Sequence, residues 1–295
     1  GINTYYNQEW GHGNRGSLPH RPDRPRYRPV GEVLRDGGFK MIMVTVKHHD
    51  GFELYDSRYT PSTTGQTPAV AKRTGEKDLF RKIVASAKKY GLKVGIYYSP
   101  ADSYMEKKGV WGNNSARVER TIPTLVENDD RADKVASGKL PTFKVQGHGL
   151  RAYMLNQLYE LLTEYGDISE VWFDGAQGNT AGTEHYDYGV FYKMIRRLQP
   201  QAIQANAAYD ARWVGNEDGW ARQTEWSPQA AYNDGVDKVS LKPGQMAADG
   251  TLGTMSSVLS EIRSGAANQL HWYPAEVDAK NRPGWFYHAN QSPRP

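Results

Sequence analysis

The chain has 295 residues, 37 Lys and Arg against 33 Asp and Glu, a net charge of +4 at pH 7 and a hydrophobic share of 38%. That size suits one large α/β domain or two small ones, with enough apolar residues for a sizeable core. There is no cysteine, which excludes disulfides and thiolate metal sites, and no apolar run reaches the ~18 residues of a membrane span.

The opening GINTYYNQEW has neither the basic start nor the apolar core of a signal peptide. HRPDRPRYRP (20–29) carries four arginines among prolines. With no nucleic-acid-binding motif behind it, it reads as a solvated loop, and no nucleic-acid partner is expected. VGEVLRD (30–36) reads as a short helix closed by Gly37 and Gly38, and FKMIMVTV (39–46) as a strand buried on both faces. EKDLFRKIVASAKKY (76–90) has a helical stripe at 79, 80, 83, 84 and 87 and stops at Gly91. KVGIYY (93–98) is a second strand. LRAYMLNQLYELLTEY (150–165) reads as a strongly amphipathic helix, and ISEVWF (168–173) as the strand after it. A helix over 186–199 ends at Pro200 and leads to the strand QAIQAN (201–206). A weaker helix, MSSVLSEIRS (255–264), precedes the strand NQLHWY (268–273). Residues 101–149 are polar and aperiodic, and read as a long functional loop over the mouth of the site; residues 60–75 form a second such loop.

Strand and helix alternate at least five times, so the fold class is α/β with a parallel sheet. No Gly-rich phosphate loop follows the first strand, which weakens a dinucleotide-binding fold. Polar groups recur at strand C-terminal ends: HHD at 48–50, YYS at 97–99, Asp174 and Asn206. A (β/α)8-like TIM barrel gathers such ends on one catalytic face, and it is the expected architecture, in one catalytic domain over 1–295.

Chemistry centres on EVWFDG (170–175). Side chains alternate along a strand, so Trp172 and Asp174 share a face and would stand together in the mouth. Hydrolysis needs a second carboxyl group, and Glu217, Glu225 and Glu276 are all candidates that spacing does not separate. In KHHDGF (47–52), adjacent His48 and His49 on an extended segment are expected to point to opposite sides, one binding a ligand hydroxyl with its tautomer set by Asp50. No metal is expected, since HExxH and cysteine ligands are both absent. With 8 Trp and 19 Tyr against 7 Phe, rings with a polar edge predominate, as suits sugar faces.

Taken together, GINTYYNQEWG (1–11), TVKHHDGF (45–52), GIYYSP (95–100), YELLTEYGDISEVWFDGA (159–176), ARWVGNEDGWARQTEWS (211–227) and HWYPAEVD (271–278) with RPGWFYH (282–288) resemble glycoside hydrolase family 29, the α-L-fucosidases. Within it the chain is most similar to actinobacterial members and to the branch preferring α-1,3/1,4-linked fucose on Lewis-type oligosaccharides. The resemblance implies a retaining exo-α-L-fucosidase without cofactor, acting on terminal fucose of oligosaccharide or glycoconjugate glycans, and secreted. It implies Asp174 as nucleophile and Glu217 as acid/base, held near an indole away from water. Glu9, Trp10, His48, His49, Tyr97, Trp172, Arg212 and Trp213 would line the fucose pocket. The chain departs from the family in lacking the histidine before GIN, the last strand–helix unit of the barrel and the C-terminal β-sandwich, and in having Glu53-Leu54-Tyr55 where a different pocket rim is expected. A fucose-binding barrel with impaired catalysis is the alternative.

Overall fold

The computed structural model describes residues 28–49, 51–59, 78–100, 102, 118–147, 149–174, 188–206, 210–214, 216–217, 219–221, 223, 225–233, 239–240, 262–265 and 268–280. In chain order the elements are α1 (Val30–Asp36), β1 (Met41–Lys47), α2 (Leu79–Lys89), β2 (Lys93–Tyr98), β3 (Val118–Ile122), α3 (Ala132–Ala136), β4 (Phe143–Gly147), α4 (Gly149–Glu164), β5 (Glu170–Phe173), α5 (Tyr188–Leu198), β6 (Ile203–Asn206), β7 (Arg212–Trp213), β8 (Pro228–Asn233), β9 (Val239–Ser240), β10 (Gln269–Trp272) and β11 (Ala275–Glu276).

Strands β1, β2, β5 and β6 pair in that order, all parallel. A parallel bridge from Ala205 to Ala211 carries the pairing toward β7, which pairs in parallel with β11. The parallel pairing thus links six strands. No closed ring is seen among the described residues. The expected parallel α/β layering is present, because each of these strands is rich in residues that suit a sheet covered by helices.

The two faces of the arc differ in chemistry. Val44, Val46, Val94, Ile96, Val171 and Phe173 are buried in one core with Phe80, Leu155, Leu158, Phe191 and Ile195 of the helices. The opposite face carries Met43, Gly95, Tyr97, Glu170 and Trp172, at positions that alternate with the core set. Gly95 is required there. A Cβ would lie 2.7 Å from Met43 Cε and 3.3 Å from Glu170 Cβ.

Helix α4 differs from the amphipathic expectation. Residues Ala152 to Leu162 are all buried, because one side of the helix meets the sheet core and another meets the β3–β4 hairpin. Its polar residues are buried but bonded. Asn156 donates to Thr124 Oγ1 and accepts from the Thr124 backbone N–H, Gln157 accepts from the Tyr98 hydroxyl, and Glu160 accepts from Ser57 Oγ at 2.8 Å. Polar periodicity in such a helix marks hydrogen-bond partners rather than water.

Residues 118–147, read from sequence as part of a loop over the mouth, form an antiparallel hairpin (β3 with β4) enclosing α3. The hairpin leans on α4, where Tyr159 donates to Pro141 O at 2.8 Å, and on the segment after β1, where Tyr59 donates to Thr124 O at 2.7 Å. NQLHWY also departs from expectation. Residues 269–272 form β10, which pairs antiparallel with β8 instead of joining the parallel arc. Glu53, Leu54 and Tyr55 are buried at 0%, 6% and 0% exposure, so they belong to the core and not to a pocket rim. The predicted loop 60–75 and nearly all of the helix at 255–264 lie outside the described residues, as do Glu9, Trp10 and Asp50. Among the described residues no helix is long and apolar enough to cross a membrane.

Candidate active site

Asp174 follows the last residue of β5, and its backbone N–H donates to Tyr98 O at 3.3 Å. That bond extends the sheet pairing by one step and aims the carboxyl along the Trp172 face. Two donors meet it. The Tyr97 hydroxyl bonds Asp174 Oδ2, and His49 Nε2 lies 3.2 Å from the same oxygen. His49 Nδ1 is 2.6 Å from Ser99 Oγ. Ser99 and Asp174 therefore fix the ring of His49.

Burial opposes ionisation of Asp174, but the bonds from His49 and Tyr97 outweigh it and hold the carboxyl below its usual range. Burial, with His49 adjacent, pushes His48 down to about 4, so its ring is neutral near pH 7. A hydroxyl-rich ligand would meet the Asp174 carboxylate and the neutral ring of His48.

The rings form a wall. His48 stacks on Tyr97 at 5.3 Å and 5°, and Tyr97 stacks on Trp172 at 5.3 Å and 19°. Tyr97 and Trp172 face each other as direct register partners of β2 and β5. The two histidines do not diverge as alternation would require; their centroids are 4.2 Å apart. β1 has a register irregularity between Thr45 and Lys47, and the chain then turns, with Gly51 at φ 73° donating to His48 O at 2.9 Å. Once the strand ends, period-two alternation no longer applies. His48, His49 and Asp174 offer ligand atoms within 4.8 Å of one another, so the residues could hold a cation. In such an arrangement the ion would compete with the His49–Asp174 contact.

The three glutamate candidates separate. Glu225 is the counter-ion of Arg212, 2.7 Å away, and that guanidinium is 1% exposed. Glu276, on β11, is half-buried, and burial raises its proton affinity. Glu217 lies beyond β7 and is exposed, contrary to the expected shielding from water. Sequence reasoning missed Asp278. Burial and the charges of Glu217 and Asp174 raise its proton affinity. It stands two residues after Glu276, and the period of two was the available signal. Trp213 is half-buried beside Asp278. Tyr97, Trp172, His48, His49 and Asp174 are thus brought together, Arg212 is turned toward Glu225, and Glu217 stands at the edge.

A family description of α-L-fucosidases matches residues 30–234. Alpha-L-fucosidase 1 of Arabidopsis thaliana is 31% identical over 296 aligned residues, covering 100% of this chain and 47% of the plant protein. The chain spans about half the length of the curated relatives it matches. A crystal structure of a Bacteroides ovatus protein superposes with a TM-score of 0.65 at 32% identity, over 99% of this chain and 43% of that one. A glycoside hydrolase 29 family member from an unknown rumen bacterium gives a TM-score of 0.60 at 29% identity, over 98% and 44%. With 205 consecutive positions matched, the chain belongs to the α-L-fucosidase family, glycoside hydrolase family 29.

Proposed function

We propose that this chain removes terminal α-L-fucose from glycans with net retention of configuration, within a (β/α)8-like barrel of which the parallel arc is part. The carboxylate of Asp174 attacks the anomeric carbon while Glu217 protonates the departing oxygen. Water activated by Glu217 then releases the sugar from Asp174. Retention calls for a separation of about 5–5.5 Å between the two carboxyls once the substrate is seated. The proposed sugar pocket draws on Glu9 and Trp10 with His48, His49, Tyr97, Trp172 and Trp213, and on Arg212, which in the free protein is held by Glu225. The preferred linkage is α-1,3 or α-1,4 on branched, Lewis-type oligosaccharides, and the protein acts outside the cell.

The observation that carries this reading is the state of Asp174: a carboxylate held ionised by His49 and Tyr97 at the edge of an aromatic wall. A nucleophile needs that charge, and a sugar ring with a methyl group needs that wall. The exposure of Glu217 favours a second reading, a fucose-binding barrel without turnover. Incubation with a Lewis-type trisaccharide, followed by NMR, separates the two. Early appearance of α-L-fucose supports the proposal, early β-anomer refutes retention, and calorimetric fucose binding with no release supports the second reading.

A further inference from the structure

The end of β2 supplies two polar side chains to the site, and the fucosidase reading uses only one of them. Tyr97 bonds Asp174, and Ser99, two residues on and just past the strand, bonds His49. Ser99 is wholly buried, at 0% exposure. Its backbone N–H donates to Lys47 O at 3.1 Å, which fixes it against the last residue of β1. Its Oγ lies 2.6 Å from His49 Nδ1, while the other ring nitrogen, Nε2, lies 3.2 Å from Asp174 Oδ2. The ends of the neighbouring strands β1, β2 and β5 thus meet through one imidazole. His49 needs such partners. It stands beyond β1, where the chain turns and sheet pairing no longer dictates which way a ring points.

Proton counting decides the direction of these bonds. Asp174 Oδ2 also receives the Tyr97 hydroxyl, and an ionised carboxylate only accepts. The His49 nitrogen facing it must therefore carry a hydrogen. A singly protonated imidazole then has none left for Nδ1, which becomes an acceptor. The Ser99 hydroxyl rotates freely about its C–O bond, and 2.6 Å is a short donor–acceptor distance. In the opposite tautomer Nδ1–H would donate to Ser99, and Nε2 would turn a lone pair toward the carboxylate. That sets two acceptors against each other across 3.2 Å.

We propose that Ser99 is a positioning residue: its hydroxyl donates to His49 Nδ1, holds the ring in the Nε2–H tautomer and so aims a donor at Asp174. Hydrogen bonds then run in one sense, from Ser99 through His49 to the carboxylate. The effect on turnover rests on the fucosidase reading; the place of the ring proton does not. Under that reading the loss of Ser99 disturbs the nucleophile, while the stack of Tyr97 on Trp172 still receives the sugar. Turnover then suffers more than binding.

The test places 15N in the histidine rings of the full chain at pH 8 and assigns His49 through His49→Gln. The parent is expected to carry the proton on Nε2, with a bare Nδ1 at the chemical shift of a hydrogen-bond acceptor. A proton on Nδ1, or on both nitrogens, overturns the proposal, and no folding defect of a variant can obscure that readout. Ser99→Ala should move the Nδ1 signal to that of an unbonded nitrogen; an unmoved signal overturns the bond. Kinetics on a fucoside form the second arm. Ser99→Ala is expected to lower kcat about tenfold with KM within about twofold, and Ser99→Thr, which keeps the hydroxyl, to recover part of the loss. An unchanged kcat, or a loss confined to KM, overturns the positioning role. A parent that turns over no fucoside counts against the fucosidase reading, with the ring spectra still deciding where the proton sits.

Discussion

Lys47 and Asp102 form an ion pair of 3.1 Å in which both side chains are wholly shielded from solvent. The ammonium also lies over the Tyr98 ring at 4.5 Å and the Tyr153 ring at 5.5 Å. It is the residue directly before His48, and Tyr98 directly precedes Ser99. The pair thus ties the ends of β1 and β2 together where the pocket begins. Lys47→Ala strands a buried carboxylate and should cost about 3–5 kcal/mol in urea unfolding. Lys47→Met with Asp102→Leu removes both charges and should recover most of that loss. Equal stability of the single and double variants would show that the pair is not what holds these ends.

The depressed proton affinity of His48 makes stability depend on pH. Its folded value of about 4 lies below the ordinary 6.5. Between those values the unfolded chain takes up a proton that the folded chain refuses, so stability falls as pH drops from 6.5 toward 4. The contribution is at most about 3 kcal/mol, and protonation of the folded form ends the loss below pH 4. Urea midpoints at pH 7 and 4.5 should differ less in His48→Gln than in the parent.

Gly95 stands between Met43 and Glu170 on the inner face. Gly95→Ala drives a methyl to within 2.7 Å of Met43 Cε. The strands are hydrogen-bonded on both sides, so side chains must move instead. A loss of about 1–3 kcal/mol is expected, read from the thermal midpoint. Met43→Ala in the same background should restore part of it.

Asn206 ends β6 at φ 64°, a left-handed conformation uncommon for a residue with a Cβ. Its Nδ2 donates to Phe173 O at 2.5 Å, which pins the peptide that leads into Asp174. Asn206→Gly keeps the backbone geometry and loses the bond, for about 1 kcal/mol. Asn206→Ala loses the bond and strains the backbone, for about 2 kcal/mol or more. A chemical-denaturation series that ranks Ala above Gly in stability contradicts this account.

Asp174→Ala should abolish fucoside turnover while leaving unfolding close to the parent, since the residue bonds at the pocket surface. Rescue by azide, with release of the inverted fucosyl azide, identifies the missing nucleophile. Wild-type turnover in the variant would remove Asp174 from that role.

Local pattern made much of the layering legible. The apolar runs of β1, β2 and β5 and the stripe of α2 announce themselves within a dozen residues, because burial against neighbours repeats with the period of each element. Trp172 and Asp174 were readable as co-facial for the same reason. Pairing partners were not. That Glu225 neutralises Arg212 depends on how far the sheet curves, which no local spacing encodes. The convergence of His48 and His49 was misread because the segment taken as extended through both of them turns after Lys47, where β1 ends. β10 was misassigned because an edge ribbon and a sheet strand share the same short alternating composition.

The stacked rings of Tyr97 and Trp172 sit on paired positions of neighbouring strands, and main-chain hydrogen bonding keeps such strands about 4.8 Å apart. The spacing of this aromatic wall is therefore inherited from the peptide lattice. Under the proposed activity, the place offered to a single sugar ring keeps its gauge whatever the loops of the chain admit.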